Sequence, residues 1–133
     1  MITALRMLFT RWTPWEQSIQ AAILSASPIS TQQILAAQFD SINKVQRIVK
    51  WSEIDFYVMR EGKVNWSDIP TFTNKDDFLL AKTVTETPLK AIHTYVHCTK
   101  GHIFSFESDY PIRPFAFANF PVRLLELNSP GLA

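Results

Sequence analysis

Apolar residues recur first at helical spacing and later in alternation, so the chain divides into a helical front and a strand-rich remainder. Ile2, Leu5, Leu8, Phe9 and Trp12 fall three or four positions apart. They predict a short amphipathic helix that packs on the core or on a partner subunit. Thr13-Pro14-Trp15-Glu16 is the clearest start signal. The hydroxyl caps the third helical amide, Glu16 reaches back to the cap, and proline at the first helical position has no amide to leave unpaired. Trp15, Ile19, Ala22 and Ile23 form one apolar stripe, and Ser27-Pro28 ends that helix. Ser30 and Gln33 repeat the capping-box spacing, with Ile34, Leu35, Ala37 and Phe39 as the buried side of a second helix that stops at Asp40-Ser41.

Residues 41–52 fit two registers. Their β-branched content (Ile42, Val45, Ile48, Val49) favours a strand. A strand that buries Val45, Val49 and Trp51 also turns Arg47 inward and leaves Ile48 outside. A helix gathers Ile42, Val45, Ile48 and Val49 on one side and turns Asn43, Lys44, Gln46, Arg47 and Lys50 outward. The helix satisfies the periodicity better and is the expected element.

Alternation then takes over. Ile54, Phe56 and Val58 define a half-buried strand, Arg60-Glu61-Gly62-Lys63 a hairpin turn, and Val64 and Trp66 the return. Ser67 to Thr71, with Pro70, marks the boundary between a helical module over 1–68 and a β-rich part over 69–133; one continuous domain is the alternative. Asn74 to Lys82 suggests a short helix carrying Phe78, Leu79 and Leu80. Leu89 to Glu107 reads as a hairpin with a three-residue loop, Thr99-Lys100-Gly101. That loop sets Cys98 opposite His102, His93 opposite Glu107, and Val96 with Phe104 on the apolar face. Phe115 to Phe120 and Val122 to Leu127 suggest one or two more strands.

The order of elements over residues 13–66 resembles a winged helix-turn-helix domain. The resemblance is carried by the Leu35-Ala36 pair, the Asp40-Ser41 turn, an inward Val45 and Gly62 at the wing tip. The usual turn glycine is absent around Asp40, and the spacing from Leu35 to Val45 is about one residue short. The resemblance implies an α+β fold, with N-terminal helices in a winged helix-turn-helix-like arrangement before a small antiparallel β-rich part. It also implies a homodimeric transcriptional regulator that binds double-stranded DNA. Asn43, Lys44, Gln46, Arg47 and Lys50 would then read the major groove, where Arg suits guanine and Asn or Gln suits adenine. Ser30, Thr31 and Gln32 would hold a phosphate at a helix start, and Arg60 and Lys63 would reach the neighbouring backbone. The bland reading of Lys44, Arg47 and Lys50 is a solvated helix face.

A second similarity covers Gly101 to Leu127. The strand-and-Phe run GHIFSFESDYPIRPFAFANFPVRLLEL is similar to the C-terminal pattern of SMI1/KNR4-type immunity proteins. It implies a non-enzymatic interaction module of antitoxin or immunity type, with a protein partner such as a toxin and an acidic contact surface.

Composition adjusts this picture slightly. The net charge is +1, but residues 1–50 hold five Lys/Arg against two acidic residues, while 51–100 hold six against seven. A modest basic bias at the front suits a phosphate-facing patch and also suits an ordinary soluble protein. One cysteine excludes an intrachain disulfide. No apolar run suffices for a signal peptide or a membrane span, so a cytoplasmic protein without membrane contact is expected. His93 and His97 lie four strand residues apart, roughly 13 Å, too far to share one zinc, so neither metal nor cofactor is expected. Cys98 with His102 is a conceivable thiol–base pair. A small buried cysteine beside a hairpin histidine is the plainer reading, and an enzyme is not expected.

Overall fold

A computed structural model describes residues 12–130. The expected helix over residues 2–12 lies outside the described residues apart from Trp12. Two helices, α1 (Pro14–Ala26) and α2 (Ile29–Ser41), precede eight strands. These are β1 (Lys44–Ile48), β2 (Glu53–Tyr57), β3 (Met59–Arg60), β4 (Lys63–Val64), β5 (Phe78–Glu86), β6 (Ala91–Thr99), β7 (His102–Ser108) and β8 (Val122–Leu127). Six form one antiparallel sheet in the order β1-β2-β7-β6-β5-β8, and β3-β4 is a separate ribbon. Strands from both sides of residue 68 therefore share one sheet.

This architecture corrects the winged helix-turn-helix expectation. The α+β class holds, but no helix-turn-helix is evident among the described residues: after α2 the chain enters β1, where a recognition helix was expected. The capped α1 forms as its sequence dictates. The Glu16 amide donates to Thr13 Oγ1 (3.3 Å), and the Thr13 amide donates to Glu16 Oε1 (2.9 Å). Trp15, Ile19 and Ile23 are buried. The second capping box does not form. Pro28 is the N-cap of α2, no side chain caps it, and Ser30 lies inside the first turn.

The strand register of β1 is the one that turns Arg47 inward. Val45 pairs with Phe56 and Arg47 with Ile54, both on the face the helices cover. Arg47 is tolerable there because Glu16 meets it. Its Nε and Nη2 donate to the two carboxylate oxygens, each at 2.8 Å. Glu16 is fully buried and the Arg47 side chain only 19% exposed, so the pair is charge-assisted and largely dry. Periodicity counts apolar positions, and it misjudged this segment because the partner lies 31 residues away.

β1 ends in three consecutive left-handed residues, Val49, Lys50 and Trp51, with φ of 52°, 53° and 69°. Each costs an L residue about 1–2 kcal/mol. Packing of the Trp51 ring against Phe117 (5.8 Å between centroids) and the Arg47 guanidinium (5.1 Å) holds the turn.

The Asn74–Lys82 helix expectation is also corrected. Residues 78–86 are strand β5, paired on one side with β6 and on the other with β8. The β6-β7 hairpin forms with a two-residue loop instead of three. Lys100 and Gly101 have φ of 53° and 84°, so Thr99 opposes His102 and Cys98 opposes Ile103. Gly101 is required: a Cβ there would sit 2.8 Å from Phe72 O. An irregularity between His97 and Cys98 shifts the pairing by one more, so Val96 faces Phe106, not Phe104. The Glu61-Gly62 turn of β3-β4 forms as expected, with φ of 54° and 77°. Of the expected C-terminal strands, only Val122–Leu127 is one; Arg113–Phe115 is a 3-10 turn.

Buried Gln38 ties the helices to the sheet. Its amide donates to Pro70 O (2.9 Å) and Gly101 O (3.1 Å), and its oxygen accepts from the Ile103 amide (2.9 Å). Gln38→Ala leaves the buried Ile103 amide unpaired and removes a donor from Pro70 O, while Gly101 O keeps the Phe72 amide at 2.8 Å, and is expected to cost about 1–3 kcal/mol in urea unfolding. The exposed control Gln33→Ala should stay within about 0.5 kcal/mol. Val49 is 71% exposed, so Val49→Gly loses little packing and is expected to stabilise by about 1 kcal/mol on relief of its positive φ.

Candidate functional site

The residues expected to meet DNA are scattered. Arg47 points inward onto Glu16. Ser30 is exposed, Thr31 is buried, and Gln32 Nε2 donates to Leu24 O at 3.0 Å. The length of α2, about 20 Å for its 13 residues, separates these three from Asn43. Asn43 is structural: its side chain donates to Met59 O (2.9 Å) and accepts from the Met59 amide (2.7 Å). That tie brings Lys44 and Arg60 to one corner, with Lys63 opposite Arg60 in the ribbon. Arg60 Nη1 lies 3.9 Å from Asp68. Gln46 opposes Asp55, and Lys50 sits exposed in the left-handed turn.

Cys98 and His102 are not a pair. Cys98 faces the core, 1% exposed, and burial pushes its thiol up to about 12. His102 lies on the opposite face, stacked on Trp66 at 3.7 Å and 10°. Burial lowers its pKa, which the carbonyl of Ile103 at 2.9 Å partly offsets. His93 does not oppose Glu107. It sits 3.3 Å from Asp109, while Tyr95 opposes Glu107 and His97 Nε2 approaches Glu107 at 3.7 Å. Among the described residues, no three His, Cys, Asp or Glu side chains are placed to hold one metal ion.

What the structure does assemble is the sheet face that α1 and α2 leave open. Strand alternation puts Glu53, Asp55 and Tyr57 of β2, Ser105 and Glu107 of β7, and Tyr95 and His97 of β6 on it. Phe104, displaced by the irregularity between His97 and Cys98, divides this face into two clefts. One, of about 500 Å³, lies between Tyr57, Val64, Trp66 and Lys100. The other, of about 420 Å³, is walled by Asp77, His97, Thr99 and Glu107. Thr99 Oγ1 donates to Asp77 at its edge. One end is therefore aromatic and the other anionic.

The anionic end is electrostatically unsettled. Glu53 stands directly opposite Glu107, and like charges across a strand pair are destabilising. Asp55 beside them is only 7% exposed, and its Oδ1 has no hydrogen-bond partner. Burial first, then a hydrogen bond shared with Glu53 and the charges of Glu53 and Glu107, raise its pKa to about 6. Sequence alternation assigned Asp55 to solvent. The Glu53-x-Asp55-x-Tyr57 spacing was visible, but the long-range register that sets Glu107 against it was not.

Two outcomes follow from these shifts. The folded protein holds the Asp55 proton where the unfolded chain has released it, so this group subtracts stability as pH rises from about 4 to about 6. Asp55→Asn is expected to stabilise at pH 7 by on the order of 1 kcal/mol and to gain less at pH 4.5, measured by thermal unfolding at both pH values. Cys98 should resist a thiol reagent at pH 8 in the native protein and react fully in denaturant.

No protein-family model, curated protein or solved structure matches this chain.

Proposed function

We propose that this chain is a non-enzymatic protein-interaction module of the antitoxin or immunity kind, which covers a partner with the open face of its sheet. The observation that carries the reading is the one-sidedness of the fold. Both described helices pack on a single face, against β8 and β7. The other face keeps half-buried aromatics beside carboxylates and two shallow clefts. Half-exposed Tyr and Trp supply contact area at low entropic cost, which suits recognition of a protein surface. Carboxylates on that face would repel a phosphate backbone, and the residues expected to read DNA are divided between faces, with Arg47 turned to the helices and Lys44 and Gln46 to the open side. No described helix is long and apolar enough to cross a membrane.

The test is site-specific crosslinking in cells of the source organism. A benzoyl-phenylalanine at position 95, on the open face, is expected to give one discrete protein adduct. The same group at position 33, on exposed helix α2, should give none. Equal adducts from both positions, or none from position 95, would contradict the reading.

A further inference from the structure

We propose that β8 is a dimerisation edge. Two copies of this chain pair their β8 strands antiparallel about a two-fold axis between Leu124 and Leu125, joining two six-stranded sheets edge to edge. The inference stands apart from the partner reading of the open face, which edge pairing leaves uncovered. Three observations carry it. First, β8 is an open edge. It ends the sheet beside β5, and among the described residues Val122–Leu127 make no backbone hydrogen bond outside that pairing. Such a row of free amides and carbonyls is a template for another strand. The opposite edge, β1, has only five residues and stops at the left-handed turn of Val49–Trp51.

Second, the strand is its own complement. Antiparallel pairing about that axis sets Arg123 against Glu126, Leu124 against Leu125 and Val122 against Leu127, each twice by symmetry. Opposite charges directly across a strand pair attract. The same operation on β1 would set Lys44 against Ile48 and Val45 against Arg47, with no charge matched.

Third, a bulge makes the faces agree. Strict alternation would send positions 123 and 126 to opposite faces. The register shift between Lys82 and Thr83 leaves Leu125 without a partner on β5, so Arg123 opposes Val84 and Glu126 opposes Lys82. Val84 and Lys82 in turn oppose His93 and Tyr95, which places Arg123 and Glu126 together on the open face. Val122, Leu124 and Leu127 pack against the core on the other face. Leu125 is 41% exposed and is the large apolar side chain that a second copy would cover. Arg123 meets only Glu86, at 3.7 Å, and Glu126 only Asn128, at 3.0 Å. Both charges remain exposed and can reach the second copy.

Six paired residues a side bury less than the roughly 1,200–2,000 Å² of a standard interface, so a dissociation constant on the order of 10–100 μM is expected. Sedimentation velocity of the full chain over about 1–500 μM measures it. Amide shifts that change with concentration should concentrate at residues 122–127. Arg123→Glu and Glu126→Arg each bring like charges together twice and should weaken the dimer at least about tenfold. An equimolar mixture of the two variants should recover the wild-type constant, because both charge pairs of the mixed dimer are then Glu with Arg. The double variant R123E/E126R should recover it too. A monomer throughout the range, single variants that dimerise like the wild type, or a mixture that stays weak would overturn the proposal. The shifts of the wild-type chain test the edge even where a variant folds poorly: concentration-dependent shifts elsewhere, or none, would overturn it as well.

Discussion

A buried carboxylate from the first turn of α1 decides how this chain folds after α2. Glu16 accepts from three donors, the Thr13 amide and two guanidinium nitrogens of Arg47. Stripping a carboxylate and a guanidinium of water costs several kcal/mol per ion. The arrangement survives because the geometry is bidentate and the Thr13 amide adds a third bond to the carboxylate. With Arg47 neutralised, β1 can lie on the sheet edge with Val45 against Phe56 and Trp12 packed on Phe56 and Phe39. The left-handed turn at Val49–Trp51 follows, since Trp51 must fold back over Arg47 to reach Phe117.

The same constraint shapes the other side of the sheet. Once the charge of β1 and the apolar residues of β2, β6 and β7 are committed to the helices, alternation sends Gln46, Asp55, Glu107 and His97 to the open face. The hairpin at Lys100-Gly101 then fixes which residues meet there. A two-residue loop in place of three shifts the pairing by one position and places His102 under Trp66, and the irregularity between His97 and Cys98 shifts it by one more, which sets Glu107 opposite Tyr95 and near His97. A one-residue change of register moves every side chain beyond it. The unpartnered oxygen of Asp55 is therefore a product of the topology, not of local sequence.

Local signals were the legible ones. The Thr13–Glu16 box, the Ser27-Pro28 stop, the Gly62 turn and the buried alternation of Ile54, Phe56 and Val58 were all readable, because each depends on neighbours within a few residues. What escaped depends on distant partners. Residues 44–48 looked helical by periodicity until Glu16 made an inward arginine acceptable, and residues 78–86 gained strand character only between β6 and β8. The candidate face was half legible. Its residue types were in view, but their meeting was not, since Glu53 and Glu107 are brought together only by the β2-β7 pairing.

The most direct test of this account is a double-mutant cycle at Glu16 and Arg47, followed by urea unfolding. Glu16→Gln and Arg47→Met alone should each cost about 3–5 kcal/mol, because each removes one half of a largely dry ion pair. The double variant should cost far less than their sum, and the strand shifts of residues 44–48 should be retained. Additive losses, or single losses under about 0.5 kcal/mol, would show that the pair does not hold β1 in place and would contradict the account.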